Sequence, residues 1–97
     1  MHLKEGKRDE YLAIFTALVP KVLAEDGCYE YGATVDMESA LTHVTGAPRS
    51  NTAVIIEKWA SLEALYAHLG APHMKEFFEA IKDLTTGEKS LQILKNA

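Results

Sequence analysis

The sequence predicts an α+β domain, a small antiparallel sheet with helices packed on one face. Three observations carry that reading. Apolar residues recur at steps of three and four before residue 25, and again between 62 and 84, which is helical spacing. Between these stretches, residues 28–35 and 52–59 are rich in aromatic and β-branched side chains, as strands are. The chain has 97 residues, 47% hydrophobic and 25% charged, which suits one globular domain over residues 1–97 and is too short for two.

Met1 to Leu3 is read as a stub of strand. The first helix is expected from about Lys7 to Glu25, with Leu12, Phe15, Leu18, Val19, Val22 and Leu23 as its apolar stripe. Pro20 removes a backbone donor inside that pattern, so a bend is expected there. Gly27 suits a left-handed C-cap. Cys28 to Val35 reads as a strand. Thr52 to Trp59 is the clearest strand, and alternation places Ile55, Glu57 and Trp59 on one face and Val54, Ile56 and Lys58 on the other. The link from Met37 to Asn51 carries turn residues such as Gly46 and Pro48, and is expected to be more mobile than the strands or ordered only by a partner subunit.

Ser61 is a good N-cap with Glu63 in the following turn. Leu62, Leu65, Tyr66 and Leu69 then form a short amphipathic helix that Gly70 can end. Pro72 fits the first position of the next helix, whose stripe is Met74, Phe77, Phe78, Ile81 and Leu84. Thr85-Thr86-Gly87 stops it. Ser90 to Leu94 reads as a last short strand with Leu91 and Ile93 on one face. A central strand apolar on both sides needs a second cover, and a second copy of the same sheet supplies one.

Several function classes fall away. Net charge is −4, and the ten Lys and Arg residues are spread thinly, so a nucleic-acid partner is not expected. A single cysteine, Cys28, excludes an internal disulfide and a thiolate zinc cluster, and reads as a small buried hydrophobe. No apolar run is long enough for a membrane span, and the N-terminus has no apolar leader; a cytoplasmic location and no membrane partner are expected. Phosphate-loop, Gly-x-Ser-x-Gly, His-Glu-x-x-His and Cys-x-x-Cys signatures are all absent.

The residues left to carry chemistry are few. His68 and His73 lie five apart across Pro72, so they do not stack on one helix face as i, i+4 ligands would. A metal site would need donors from elsewhere, and none is expected. Each histidine is either a polar residue at the helix–helix joint or a base working near neutral pH. Glu57, at the end of an apolar strand, is either an edge ion pair or a pocket carboxylate. Trp59 can fill the core or wall an aromatic ligand pocket.

Gly27-Cys28-Tyr29-Glu30-Tyr31 after an amphipathic helix, Glu57-Lys58-Trp59 closing a strand, Ala67-His68-Leu69, and Pro72-His73-Met74-Lys75-Glu76-Phe77 closely resemble the antibiotic biosynthesis monooxygenase family. More narrowly, they resemble its small quinol-monooxygenase-type members. Lys4-Glu5-Gly6-Lys7 resembles the turn between that family's first strand and first helix. The resemblance covers nearly the whole chain. It implies a ferredoxin-like fold that pairs through its sheet into a homodimer, a dimeric α/β barrel. It also implies oxidation of a hydroquinone or other small electron-rich aromatic substrate by O2, with no cofactor and no metal. The expected catalytic residues are His68, Glu57 and His73, and the expected substrate contacts are Trp59, Tyr31, Phe77 and Arg49.

Two features depart from the family. Only three residues precede the first turn, and the link over 37–51 is longer than usual, so that Pro48-Arg49 could fold over a pocket mouth or meet the partner subunit. Heme-degrading relatives combine a strand Trp with an Asn on the first strand and a His on the last helix; Trp59 fits the first, the Asn has no counterpart and the last position is Phe78. A non-enzymatic binding module, or an isomerase of a phosphorylated signal molecule, is the competing reading on the same fold.

Overall fold

The computed structural model describes residues 1–97 and contains helix α1 (Arg8–Leu23), strands β1 (Cys28–Thr34) and β2 (Val54–Trp59), and helices α2 (Leu62–Leu69) and α3 (Pro72–Ile81). β1 and β2 pair antiparallel, with Tyr31 opposite Glu57 and Gly32 opposite Ile56. Single antiparallel bridges join His2 to Thr52 and Leu3 to Thr85. The order across the layer is therefore residue 85, the N-terminal stub, β2 with its lead-in, then β1. This is the ferredoxin-like arrangement, with α1 and α3 packed together over one face. The stub is as short as the sequence implied, and it makes bridges rather than a full ladder.

Alternation along β2 follows the expected parity. Ile55, Glu57 and Trp59 are half-buried, whereas Val54, Ile56 and Lys58 are exposed on the open face. In β1 the register shifts between Cys28 and Glu30. Strict alternation would put Tyr29 and Tyr31 on one side, but with this bulge Tyr29 is 73% exposed and Tyr31 only 6%. Cys28 is half-buried and packs against the core.

Several sequence expectations are corrected. The buried face of α1 is Tyr11, Phe15, Leu18 and Val22; Leu12 and Val19 are half-buried and Leu23 is exposed. Aromatic packing sets this rotation. The Phe15 ring stacks on Tyr31 at 5.1 Å, and Tyr11 and Phe15 both meet the edge or face of Phe77 near 6 Å. The helix runs through Pro20 and is capped at Ala24, so Glu25 and Gly27 both fall in the following turn, not at the cap.

In α2 the Ser61 hydroxyl caps the Ala64 N–H at 3.1 Å as expected. Of its apolar stripe only Leu65 is half-buried; Leu62, Tyr66 and Leu69 are exposed and His68 is the buried residue. In α3, Phe78 is exposed while Met74, Phe77 and Ile81 are buried, and Leu84 is buried beyond the helix end. No strand forms over Ser90–Leu94. That segment makes no backbone hydrogen bond and leaves Leu91 and Ile93 exposed, because a strand exists only where another strand completes its ladder.

Candidate active site

A histidine–carboxylate cluster lies where the end of α1, β2 and the α2–α3 joint converge. His68 sits in the last turn of α2, which Gly70 terminates, and Ala71 and Pro72 turn the chain directly into α3. The Ala71 N–H donates to the His68 carbonyl at 3.1 Å, so the break is short and rigid. It swings His73, in the first turn of α3, back toward His68. Between them comes Glu25, which no spacing rule connects to either.

One oxygen of Glu25 serves both rings. Glu25 Oε2 is 2.8 Å from His68 Nδ1 and 2.9 Å from His73 Nε2. An ionised carboxylate only accepts, so each of these ring nitrogens donates. Neutral His68 then carries its proton on Nδ1, and Nε2 holds a lone pair. Nε2 is 3.9 Å from Glu57 Oε1. Glu57 is held in turn by the Trp59 indole N–H at 2.9 Å. The His68 ring, 1% exposed, is clasped by Trp59 at 4.6 Å and by the edge of Tyr31 at 5.3 Å.

No buried side-chain nitrogen or oxygen lacks a hydrogen-bond partner. His68 Nε2 and the hydroxyls of Tyr11 and Tyr31 make no hydrogen bond within the chain, and none of the three atoms is completely buried. Burial, and then the charge of Glu57, raise the Tyr11 phenol to about 12 and push Tyr31 well above the ordinary tyrosine range. Both hydroxyls therefore remain neutral donors at physiological pH.

Glu25 carries the pH dependence of the cluster. Burial alone would raise its carboxyl pKa, but the hydrogen bonds from His68 and His73 outweigh burial and hold it below the ordinary value of 4.5. The folded pKa thus lies below the unfolded one. The stability this contributes is complete above the unfolded value and disappears as pH falls through the folded one. Urea denaturation followed from about pH 6 down to pH 3 is expected to show a steeper loss of stability for the native chain than for Glu25→Gln. Parallel curves would mean that the two hydrogen bonds do not favour the ionised form.

The structure thus brings together His68, Glu57, Trp59 and Tyr31, and links His73 to them through Glu25. Phe77 lies beneath this group, buried at 6% exposure against Tyr11 and Phe15 in the core. Arg49 is elsewhere. Its guanidinium grips Asp36 with two bonds of 2.7 and 2.8 Å, and its carbonyl accepts from Arg8 Nη1 at 2.9 Å. Arg49 therefore ties the two ends of the 37–51 link to each other and to the start of α1. Its hydrogen bonds hold the Asp36 carboxyl well below the usual carboxylate range.

Sequence reasoning passed over Glu25 and Tyr11. Glu25 gave only the weak signal of an acidic residue at the expected helix end, and Tyr11, though four residues before Phe15, was not counted in the stripe. Two surface grooves lie away from the cluster: one of about 300 Å³ beside Met1, Phe78 and Lys82, and one of about 380 Å³ beside Glu5, Arg8 and Asn51. No helix is long and apolar enough to cross a membrane.

Residues 1–80 match the sequence profile described as antibiotic biosynthesis monooxygenase. The chain is 43% identical over 75 residues to the Escherichia coli K12 protein named "Probable quinol monooxygenase YgiN", covering 77% of this chain and 70% of that one. Among solved structures, PA3566 from Pseudomonas aeruginosa superposes with a TM-score of 0.76 at 25% identity, covering 100% of this chain and 88% of that one. Rv0793 from Mycobacterium tuberculosis superposes with a TM-score of 0.70 at 26% identity, covering 99% and 90% respectively.

Proposed function

Because the chain belongs to the antibiotic biosynthesis monooxygenase family, we propose that it oxidises a hydroquinone or a similar electron-rich aromatic with O2, without added metal, flavin or heme. The observation that carries this reading is the 2.8 Å contact between Glu25 Oε2 and His68 Nδ1, from which the ring proton is assigned to Nδ1. Glu25 accepts from Nδ1 and leaves the Nε2 lone pair to accept a phenolic proton. Glu57 lies 3.9 Å beyond, where its charge stabilises the imidazolium that results. Tyr11 and Tyr31, as neutral donors, hydrogen-bond the oxygen that becomes an anion. Trp59 walls the ring.

Loss of the proton makes the aromatic electron-rich enough to reduce O2 itself. In the monooxygenase balance, one oxygen atom forms a new carbon–oxygen bond and the other leaves as water. A hydroquinone becomes a hydroxyquinone, and all four electrons come from the substrate, so no outside reductant is required. His73, with Nε2 on Glu25, serves in this scheme to anchor that carboxylate.

The active unit in this reading is a cytoplasmic homodimer. Support comes from the open sheet face, where Val54 and Ile56 are 37% and 40% exposed. The test is oxygen uptake with a panel of hydroquinones under chelator and ¹⁸O2, on protein whose mass is measured by sedimentation. The expected result is turnover by a species of twice 10.7 kDa with one labelled oxygen in the product. Binding of the same aromatics with uptake no faster than autoxidation would replace this reading by a binding module.

A further inference from the structure

We propose that Glu25, His68 and His73 form a three-ligand site for a divalent transition cation of the zinc class. His68 Nδ1, His73 Nε2 and a Glu25 carboxylate oxygen lie within 4.8 Å of one another, with separations of 2.8 and 2.9 Å between the carboxylate oxygen and the two ring nitrogens. Zinc bonded at about 2.0–2.1 Å sets neighbouring tetrahedral donors roughly 3.3 Å apart. To admit it the carboxylate oxygen must draw back from each ring nitrogen by a few tenths of an ångström, and the two nitrogens, within 4.8 Å of each other, must close toward the same spacing. Two imidazoles and one carboxylate favour Zn²⁺, Co²⁺ or Ni²⁺ over Mg²⁺ or Ca²⁺, and three protein ligands leave a coordination position to water.

A second feature points the same way. A ligating histidine donates its other N–H to an outer carboxylate or carbonyl, which fixes the ring. Glu57 stands 3.9 Å from His68 Nε2, already oriented by the Trp59 indole. The sequence spacing of His68 and His73 argued against a metal because no further donor was in sight; the fold supplies Glu25.

The proton count gives this site a consequence. In the metal-free cluster each neutral histidine carries its proton on the nitrogen facing Glu25. A cation needs both of those lone pairs, so the proton of His68 moves through solvent from Nδ1 to Nε2, and that of His73 from Nε2 to Nδ1. No net proton is released. His68 then faces the substrate side with an N–H and cannot act as a base. Metal occupancy switches the oxidation off, a consequence that rests on the quinol reading, whereas the site itself does not.

The test is titration of the chelator-stripped full chain with Co²⁺, followed by visible absorption. The expected result is d–d bands saturating at one ion per chain and displaced by Zn²⁺. His73→Ala and Glu25→Gln, checked by circular dichroism for folding, are each expected to weaken binding by roughly tenfold or more, and His43→Asn on the exposed link to leave it unchanged. No bands at saturating Co²⁺, or bands that both site variants retain, would overturn the site. Full oxygen uptake in the Zn²⁺-loaded protein would overturn the switch. If the chain takes up no oxygen with or without Zn²⁺, the quinol reading fails and the metal site stands on the cobalt spectrum alone.

Discussion

His68→Ala is expected to lower kcat for oxygen-dependent quinol oxidation by about 10²–10⁴-fold, the usual contribution of a positioned general base. His68 is the one imidazole whose free nitrogen faces Glu57, at 3.9 Å, and a 2.8 Å hydrogen bond to Glu25 on the opposite side of the ring sets its tautomer. Alanine also removes a buried ring that touches Trp59 and Tyr31, so some stability is lost with the activity. Two readouts separate these effects. Added imidazole restores part of the turnover if a base is missing, and does nothing for a collapsed site. The limb of the kcat/KM pH profile that reports the base disappears in the variant if His68 is that base. A variant that melts like the native chain and keeps kcat would remove His68 from the mechanism.

Gly27→Ala is expected to cost about 2–5 kcal/mol of folding stability, a large part of the roughly 5–15 kcal/mol that holds a small domain together. Two separate costs add. Gly27 has φ +78°, a left-handed conformation that costs an L-residue about 1–2 kcal/mol. A Cβ there would also lie 2.9 Å from the Ala64 Cβ and 3.3 Å from the Ala60 Cβ, overpacking of the kind that costs about 1–3 kcal/mol. Gly6 provides the control. It has a similar φ of +76°, but a Cβ on it meets nothing within 4 Å. Gly6→Ala should therefore show the backbone cost alone. Urea midpoints at unchanged m-value give both numbers. Equal losses at the two positions would show that α2 moves aside freely, and that the close approach of Gly27 to α2 holds nothing in place. Because Gly27 follows Glu25 by two residues, a displaced turn would also disturb the carboxylate between His68 and His73.

The sequence was most legible where local physics decides the outcome. Ser61 as N-cap, Pro72 at the start of α3 and the two faces of β2 each follow from hydrogen-bonding capacity or period-two geometry within a few residues. The ordered blocks around Gly27, Glu57, His68 and His73 carried the family, and with it a fold that a periodicity argument reaches only as α+β. Glu57 and Trp59 could be placed together because parity puts them on one face of one strand.

What failed in the sequence reading depends on contacts between distant residues. The stripe of α1 holds at Phe15, Leu18 and Val22 but misses Tyr11 and sets Leu23 too deep, because only the rings of Phe77 and Tyr31 select between neighbouring faces of the helix. Of the expected stripe of α2, Leu65 is half-buried but Leu62, Tyr66 and Leu69 face out, since the buried side of that short helix is taken by His68. Ser90–Leu94 has strand composition but no strand beside it, and hydrogen-bond pairing belongs to two segments, never to one. Glu25 is the extreme case. It lies 43 and 48 residues before the histidines it bridges, and a carboxylate in a surface-like turn carries no local mark of that role. Composition and spacing determined which residues were capable of chemistry; the path of the chain through the Glu25–Gly27 turn and the Gly70–Pro72 break decided which of them meet, because a hydrogen bond is fixed by distance in space and sequence spacing fixes distance only within one regular element.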